Sequence, residues 1–494
     1  MAIKKCFPYL LIFLFTLGVM LFLYTYVDRA YGDTYYHLAL ANFIKEHGLS
    51  RQYEHLAFTV YEDTFSDGHF LFHVALIPLT FLPLYWANII GITLMTSIML
   101  GVFYFILSKE GYSLKWLWTA SLLLVSWGFL FRMTQLRTIS LGIAFMMLTY
   151  YFAHKQRYKA LFVSVFLFSW TYYAYPLALI PAGIVAFYFT LKAKRIVWKP
   201  AAVVLAAVIL GTVVFPYFPN NLTFLKIQWI DGQLNIPEID FVNVLNVSIN
   251  QTTQVGNIYE NLPPDPQIFI DHNLYFLVLL AFLVLFMILI KRWDHPLTLI
   301  AAFFLLLTIK TDRTIEYALP FTMLLAAHVF HPIKAKHKLI LLILLVAFCA
   351  STLTIGRFLL PIEVTKQNPE GTDDCHVFLS EYAQPGQSVF FVNAAASPFT
   401  MYYYPEGKAI GGWALYFMLR HNETLMKEYA LINIATAPVY EYFDPHAVLK
   451  DHFNASYIYL PEVYEDHFAG KFPMPENEYR VIYDNTACRI IEIL

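Results

Sequence analysis

Charge is scarce in this chain: Asp, Glu, Lys and Arg together make 14% of its 494 residues, where soluble domains average about 25%. That excludes an ordinary soluble globular protein. The few charges nearly cancel, with 33 basic against 35 acidic side chains, so the composition offers no basic surface for nucleic acid. Cysteine is scarcer still, at four residues, too few for a disulfide-built scaffold. Internal repeats and low-complexity tracts are missing, which excludes solenoids and fibrous arrays.

What is present is apolar: 59% of residues are hydrophobic and 18% aromatic. Eleven apolar runs stand out: Phe7–Val27, Trp86–Leu107, Trp116–Phe131, Ile139–Phe152, Leu161–Tyr175, Leu177–Leu191, Ala201–Phe215, Leu274–Ile290, Leu297–Ile309, Tyr317–Phe330 and Leu339–Leu353. Several fall short of the ~20 residues a straight span needs, so flanking residues must complete them. The expectation is an α-helical polytopic membrane protein with about eleven transmembrane helices. Lys4 and Lys5 before the first run suggest a signal peptide. However, the run exceeds the usual h-region and no small-residue cleavage site follows, so it reads as a retained anchor.

Loop charge gives the orientation. Sixteen Lys and Arg fall in one set of connections, at Lys4, Lys5, Lys109, Lys115, Lys155, Arg157, Lys159, Lys192, Lys194, Arg195, Lys199, Lys291, Arg292, Lys334, Lys336 and Lys338. The opposite short loops hold four: Arg132, Arg137, Lys310 and Arg313. The basic side is cytoplasmic by the positive-inside rule, which puts the N-terminus inside and the C-terminus outside. Counting His69–Trp86 as a span would invert every later loop. It therefore reads as an interfacial helix, interrupted at Pro78 and Pro83.

This places a transmembrane domain at residues 1–356, with a first outer loop at 28–86 and another at Pro216–His272. Residues 357–494 form an extracytoplasmic α/β domain, entered through a linker at Lys366–Asp373. Its strand-like runs are Ser388–Val392, Tyr457–Leu460, Tyr479–Tyr483 and Arg489–Leu494, and its helical stretches are Ser397–Tyr404 and Ala447–Phe453. Cys6 and Cys349 lie in apolar spans as small hydrophobes. Cys375 and Cys488 lie in the outer domain, where a disulfide and free thiols both stay open. Sequons at Asn221, Asn246, Asn250, Asn422 and Asn454 all fall on the outer side, in agreement with the orientation.

Chemistry concentrates in the first outer loop. Asp28 and Asp33 follow the first span directly, and Asp33 and His37 share one face if Tyr31–His47 is helical. Carboxylates at a membrane surface are costly unless they act. Glu62, Asp63, Asp67, His69 and His73 come next. His69 and His73, at i and i+4, have no specified third partner and so read as packing rather than a metal site. The plain alternative for the whole loop is a solvated interface with an aromatic belt. In the later outer turns, Arg132, Arg137 and Arg313 defy the inside bias, and guanidinium groups there suit a phosphate. A snorkelling arginine, or an Arg313–Glu316 surface pair, is the competing reading.

Gly32-Asp33-Thr34-Tyr35-Tyr36-His37-Leu38 resembles the Asp-x-(Tyr/Trp)-Tyr-His signature of archaeal oligosaccharyltransferase-like members of the GT-C glycosyltransferase superfamily. Asp67–His73 resembles the interfacial helix that closes the same loop. Phe131–Leu141 and Arg313–Phe321 look like the family's later outer turns, and the layout as a whole is also distantly similar to lipid-phosphate-mannose transferases. The resemblance implies transfer of a sugar from a polyprenyl-phosphate donor to a saccharide, lipid or protein hydroxyl outside the membrane. It implies Asp33 as base, with Asp28 as the fallback and His37 as an orienting group. Arg137 and Arg313 would grip the carrier phosphate, supported by Arg132, Glu316 and Tyr36. A divalent cation, Mg2+ or Mn2+, is a further expectation, with Asp33, Asp67, His69 and His73 as its candidate ligands. Two departures stand out: no Trp-Trp-Asp occurs, and Arg132–Thr138 contains no acid. Both argue against sequon glycosylation and leave metal dependence open. The competing classes are a non-catalytic relative serving as assembly scaffold, and a transporter. The transporter lacks the mid-span ionisable residues an ion path needs.

Overall fold

The computed structural model describes residues 2–231, 264–332, 335–392, 396–411, 418, 421–434, 444–461, 474–475 and 477–494. Most of the outer loop expected at Pro216–His272 lies outside the described residues, as do the sequons at Asn246 and Asn250. Contacts divide the chain into two compact units. The first comprises Met1–Asp28, Gly68–Phe215 and Ile258–Glu363; the second comprises Arg29–Asp67, Pro216–Asn257 and Val364–Leu494.

The first unit is helical, and every apolar run becomes a helix. Among the described residues, five helices are long and apolar enough to cross a membrane: Cys6–Tyr26, Leu84–Lys109, Tyr175–Ala193, Pro266–Ile290 and His337–Lys366. The shorter helices Ile139–His154, Tyr158–Thr171, Lys199–Val213 and Pro296–Thr308 are also apolar, and Ile315–Phe330 is buried along almost its whole length. Peripheral helices turn large apolar side chains outward, including Leu289 at 69% and Phe358 at 67% exposure. In water such a surface would drive aggregation, whereas lipid accepts it.

The run read as Trp116–Phe131 is not one rod. Helices Lys115–Leu124 and Trp127–Met133 meet at 85°. Ser126 makes the break: it is extended, and its Oγ accepts from the Phe129 amide at 3.0 Å, capping the second helix. Gly128 lets Asn273 approach, since a Cβ there would lie 3.3 Å from its Oδ1. His69–Trp86 divides into Phe70–Leu76 and a 3-10 segment, Ile77–Phe81. Pro78 opens that 3-10 segment and Pro83 starts the next long helix, because proline lacks the N–H a continuing helix requires.

Among its described residues, the second unit carries a five-stranded sheet of order β2-β1-β3-β5-β4. The strands are β1 Ser388–Phe391, β2 Lys408–Ile410, β3 Tyr457–Pro461, β4 Tyr479–Asp484 and β5 Cys488–Ile493. The first three are parallel, and β3, β5 and β4 are antiparallel. Four strands match the sequence pattern; β2 is three residues of Lys-Ala-Ile, too short to alternate. The linker expected at Lys366–Asp373 is shorter than that, because one helix runs through Gln367 and the next begins at Thr372.

The part of the first outer loop from Arg29 to Asp67 is built into this second unit. Helix Gly32–His47 packs on helix Ser397–Tyr403, with the Tyr35 and Phe399 ring centroids 4.4 Å apart. The Ala409 amide of β2 donates to the His55 carbonyl at 2.6 Å, and Phe58 meets Phe453 edge-on at 5.4 Å. Around Phe65, rings of Phe43, Tyr53, Tyr61 and Tyr217 close a second apolar cluster. Cys375 and Cys488 form a disulfide, which resolves the pair in favour of the bond. The sequon Asn221 is 5% exposed, so only the Asn422 and Asn454 sequons lie at the surface among the described residues.

Candidate functional site

In the first unit, the bent pair ends with Arg132 in its last turn. Arg132 Nε donates to Glu316 Oε1 at 2.5 Å, and the Glu316 side chain is 0% exposed. Glu316 begins helix Ile315–Phe330, where the helix dipole favours an acid. A buried carboxylate is strongly destabilising without such a partner. One turn earlier, Arg313 lies in the 3-10 segment Asp312–Thr314. Tyr172 hydrogen-bonds Tyr317, and its hydroxyl faces the charges of both Arg313 and Glu316. His69 stacks on Tyr172 at 5.4 Å and meets Tyr173 at 5.3 Å.

A continuous cluster therefore runs from His69 through Tyr172 and Tyr317 to Arg313, Glu316 and Arg132. Arg137 is half-buried just ahead of helix Ile139–His154. His73 is fully buried, its ring 5.8 Å from that of His69.

In the second unit, Asp33 is half-buried in the first turn of helix Gly32–His47. Asp28 is exposed and belongs to the first unit. Tyr36 is half-buried, with the His37 ring 4.8 Å away and His37 itself buried. Tyr35 is 0% exposed. Its hydroxyl donates to Asp373 Oδ1 at 2.8 Å and accepts from Asn368 Nδ2 at 3.1 Å. Burial pushes the Asp373 carboxyl above its ordinary range, partly opposed by hydrogen bonds from Tyr35 and Tyr403 and by the charge of Arg29. Asp67 is 2% exposed. Burial, with the charge of Asp67 added, raises the Tyr217 hydroxyl.

Among the described residues, no three His, Cys, Asp or Glu side chains gather as metal ligands would. Asp33 and Asp67 fall in one unit and His69 and His73 in the other.

The sequence matches no protein-family model and no curated protein. The fold does match solved structures. ArnT from Cupriavidus metallidurans, bound to undecaprenyl phosphate, aligns with a TM-score of 0.59 at 10% identity, over 99% of this chain and 98% of its own. The archaeal oligosaccharyltransferase AglB from Archaeoglobus fulgidus, in complex with an inhibitory peptide and a dolichol-phosphate, aligns at 0.60 and 12% identity, over 97% of this chain and 73% of its own. Both are GT-C glycosyltransferases. The chain has the GT-C fold.

In this chain of GT-C fold, a multi-pass membrane protein, the candidates divide between the two units. The structure joins Arg132 and Glu316 directly and brings Arg313 into the same cluster. His69 packs on Tyr172 and Tyr173, and His73 meets the rings of His69 and Phe72. Sequence reasoning missed Asp373, which it read as linker, and Asn368, which is 0% exposed. It also noted Tyr35 only as one aromatic of a motif. No local pattern marks these residues, since their partners lie more than three hundred positions away.

Proposed function

We propose that this chain transfers a sugar from a polyprenyl-phosphate-type lipid donor to a hydroxyl acceptor on the extracytoplasmic face, by inverting displacement. The observation that carries the reading is the match, over nearly all of this chain, to two glycosyltransferases whose structures hold polyprenyl phosphates. In the step, the acceptor oxygen attacks the anomeric carbon and Asp33 takes its proton. The bond from that carbon to the phosphate oxygen breaks, and its electron pair leaves with the polyprenyl phosphate. Arg137 and Arg313 hold that phosphate and stabilise the developing charge. Glu316 fixes the Arg132 guanidinium, and His37 orients the acceptor side. General-base catalysis of this kind is worth roughly 10²–10⁴-fold.

The orientation belongs to the same proposal: the N-terminus is cytoplasmic, and the C-terminal domain lies outside. The basic loops support it, as does the Cys375–Cys488 disulfide, since such bonds persist in oxidising compartments.

The test incubates purified full-length protein with radiolabelled undecaprenyl- and dolichyl-phosphate sugars and follows release of the carrier phosphate. The wild type should consume one of them, and Asp33→Asn should abolish turnover while the protein stays folded. Near-normal turnover by Asp33→Asn would overturn the base assignment. Failure of the wild type on every donor would favour the scaffold reading.

A further inference from the structure

Tyr35 stands two residues after Asp33 on one helix and is fully buried, so it is a strut and makes no substrate contact. Its ring is packed by Phe399 at 4.4 Å, Tyr402 at 5.6 Å and Tyr403 at 6.0 Å. Its hydroxyl lies 2.8 and 3.0 Å from the two oxygens of Asp373. Tyr403 hydrogen-bonds the same carboxylate, and Asn368 Nδ2 reaches both the Tyr35 hydroxyl at 3.1 Å and the Ala30 carbonyl at 3.3 Å. Burial, reinforced by the Asp373 charge, pushes the Tyr35 hydroxyl up, so it remains a donor across the physiological range.

Asp373 is held in turn. It lies in the first turn of helix Thr372–Tyr382, which starts from Gly371 at φ +92°, a backbone region that favours glycine. Asn485 Nδ2 donates to the Gly371 carbonyl at 3.0 Å, while its Oδ1 accepts from the Ala487 and Cys488 amides at 2.8 and 2.9 Å. Two residues after Asp373, Cys375 is bonded to Cys488 at the start of β5. An unbroken covalent and hydrogen-bonded path therefore runs from the start of β5 through Asp373 and Tyr35 to the turn that bears Asp33.

We infer that Asp373 is a positioning residue for sugar transfer, fixing the first turn of helix Gly32–His47, and with it Asp33, through the Tyr35 hydroxyl. The inference rests on the reading of Asp33 as base. Its physical content is that a misplacement of about 1 Å can cost about 10²-fold in rate, so a base on a short outer helix needs rigid backing.

The test uses full-length protein in nanodiscs and the lipid-phosphate sugar that the wild type consumes. Tyr35→Phe keeps the ring and removes only the hydroxyl; Asp373→Asn keeps the shape and removes the charge. Each should lower kcat by about ten- to a hundredfold, with the donor KM within about twofold. The double variant should be no worse than the poorer single, because both cut one link. Asp373→Glu should recover part of the rate. Hydrogen exchange at the Gly32–His37 amides should quicken in both singles, while β1 amides stay protected. Unchanged exchange at Gly32–His37 in folded Asp373→Asn would overturn the inference, as would losses that multiply in the double variant. Asp33→Asn separates the two ideas: full turnover there removes the base, whereas exchange still judges the strut. If Asp373→Asn fails to fold, Tyr35→Phe carries both readouts.

Discussion

Arg132 Nε lies 2.5 Å from Glu316 Oε1, joining residues 184 positions apart, with the carboxylate wholly buried and the guanidinium 13% exposed. Arg132 was a supporting candidate at the phosphate site and Glu316 a candidate for orienting its groups. The pairing instead makes them one unit in which each needs the other. Removing one partner of a buried pair typically costs about 3–5 kcal/mol, whereas replacing both with apolar groups is often neutral. Arg132→Met alone should therefore lower the thermal midpoint in detergent sharply, and Arg132→Met with Glu316→Leu should recover much of it. Equal losses for single and double variants would show that the pair is not coupled.

Arg313 faces the Tyr172 hydroxyl from its 3-10 turn. With the phosphate role proposed for it, Arg313→Ala should raise the KM for the lipid donor about tenfold or more, in line with loss of a charge-assisted contact. Arg313→Lys should fall between the two, since Lys offers the charge without the fork. An unchanged donor KM would remove Arg313 from the phosphate site.

Acid should loosen the second unit. Burial pushes His376 down to about 3 and His55 down to about 4, from an ordinary 6.5. His376 stacks between Phe399 and Tyr459, with Thr400 Oγ1 2.9 Å from its Nδ1. The unfolded chain binds protons as pH falls below 6.5, and the folded chain does so only near 3 to 4. Stability is thus fully present above pH 6.5 and is lost as pH drops through that window, by up to about 1.4 kcal/mol per pH unit for each histidine. Unfolding midpoints measured from pH 7 to 4.5 should decline, and His376→Gln should flatten the decline. A slope unaffected by the substitution would contradict the burial argument.

The outer placement of the second unit can be checked by glycan attachment in a host that modifies sequons. Asn454 is exposed and Asn221 is 5% exposed. Asn454→Gln should remove a mass increment, and Asn221→Gln should leave the mass unchanged. A cytoplasmic tail would carry no glycan, and its Cys375–Cys488 pair would be reduced.

The sequence alone determined the helices. Long apolar runs are energetically committed to span lipid as helices, because no water there satisfies a free backbone group. Pro78 and Pro83 also marked real breaks. The first turn carrying Asp33 was equally readable, since an acid placed directly after a span is a local signal. Four of the five strands showed themselves as strand-like runs.

Only tertiary structure decided the partners. The sequence assigned Arg29–Asp67 to the membrane domain on the strength of chain order, yet its contacts fall with the tail. Ser126 turned one expected rod into two, through a cap and the nearby Asn273 side chain. Tyr35 and Asp373 looked like a motif aromatic and a linker acid, until folding buried the one against the other. Hydrogen bonds between residues hundreds of positions apart leave no periodicity in a single chain. Their geometry exists only once the hydrophobic effect has brought the segments together.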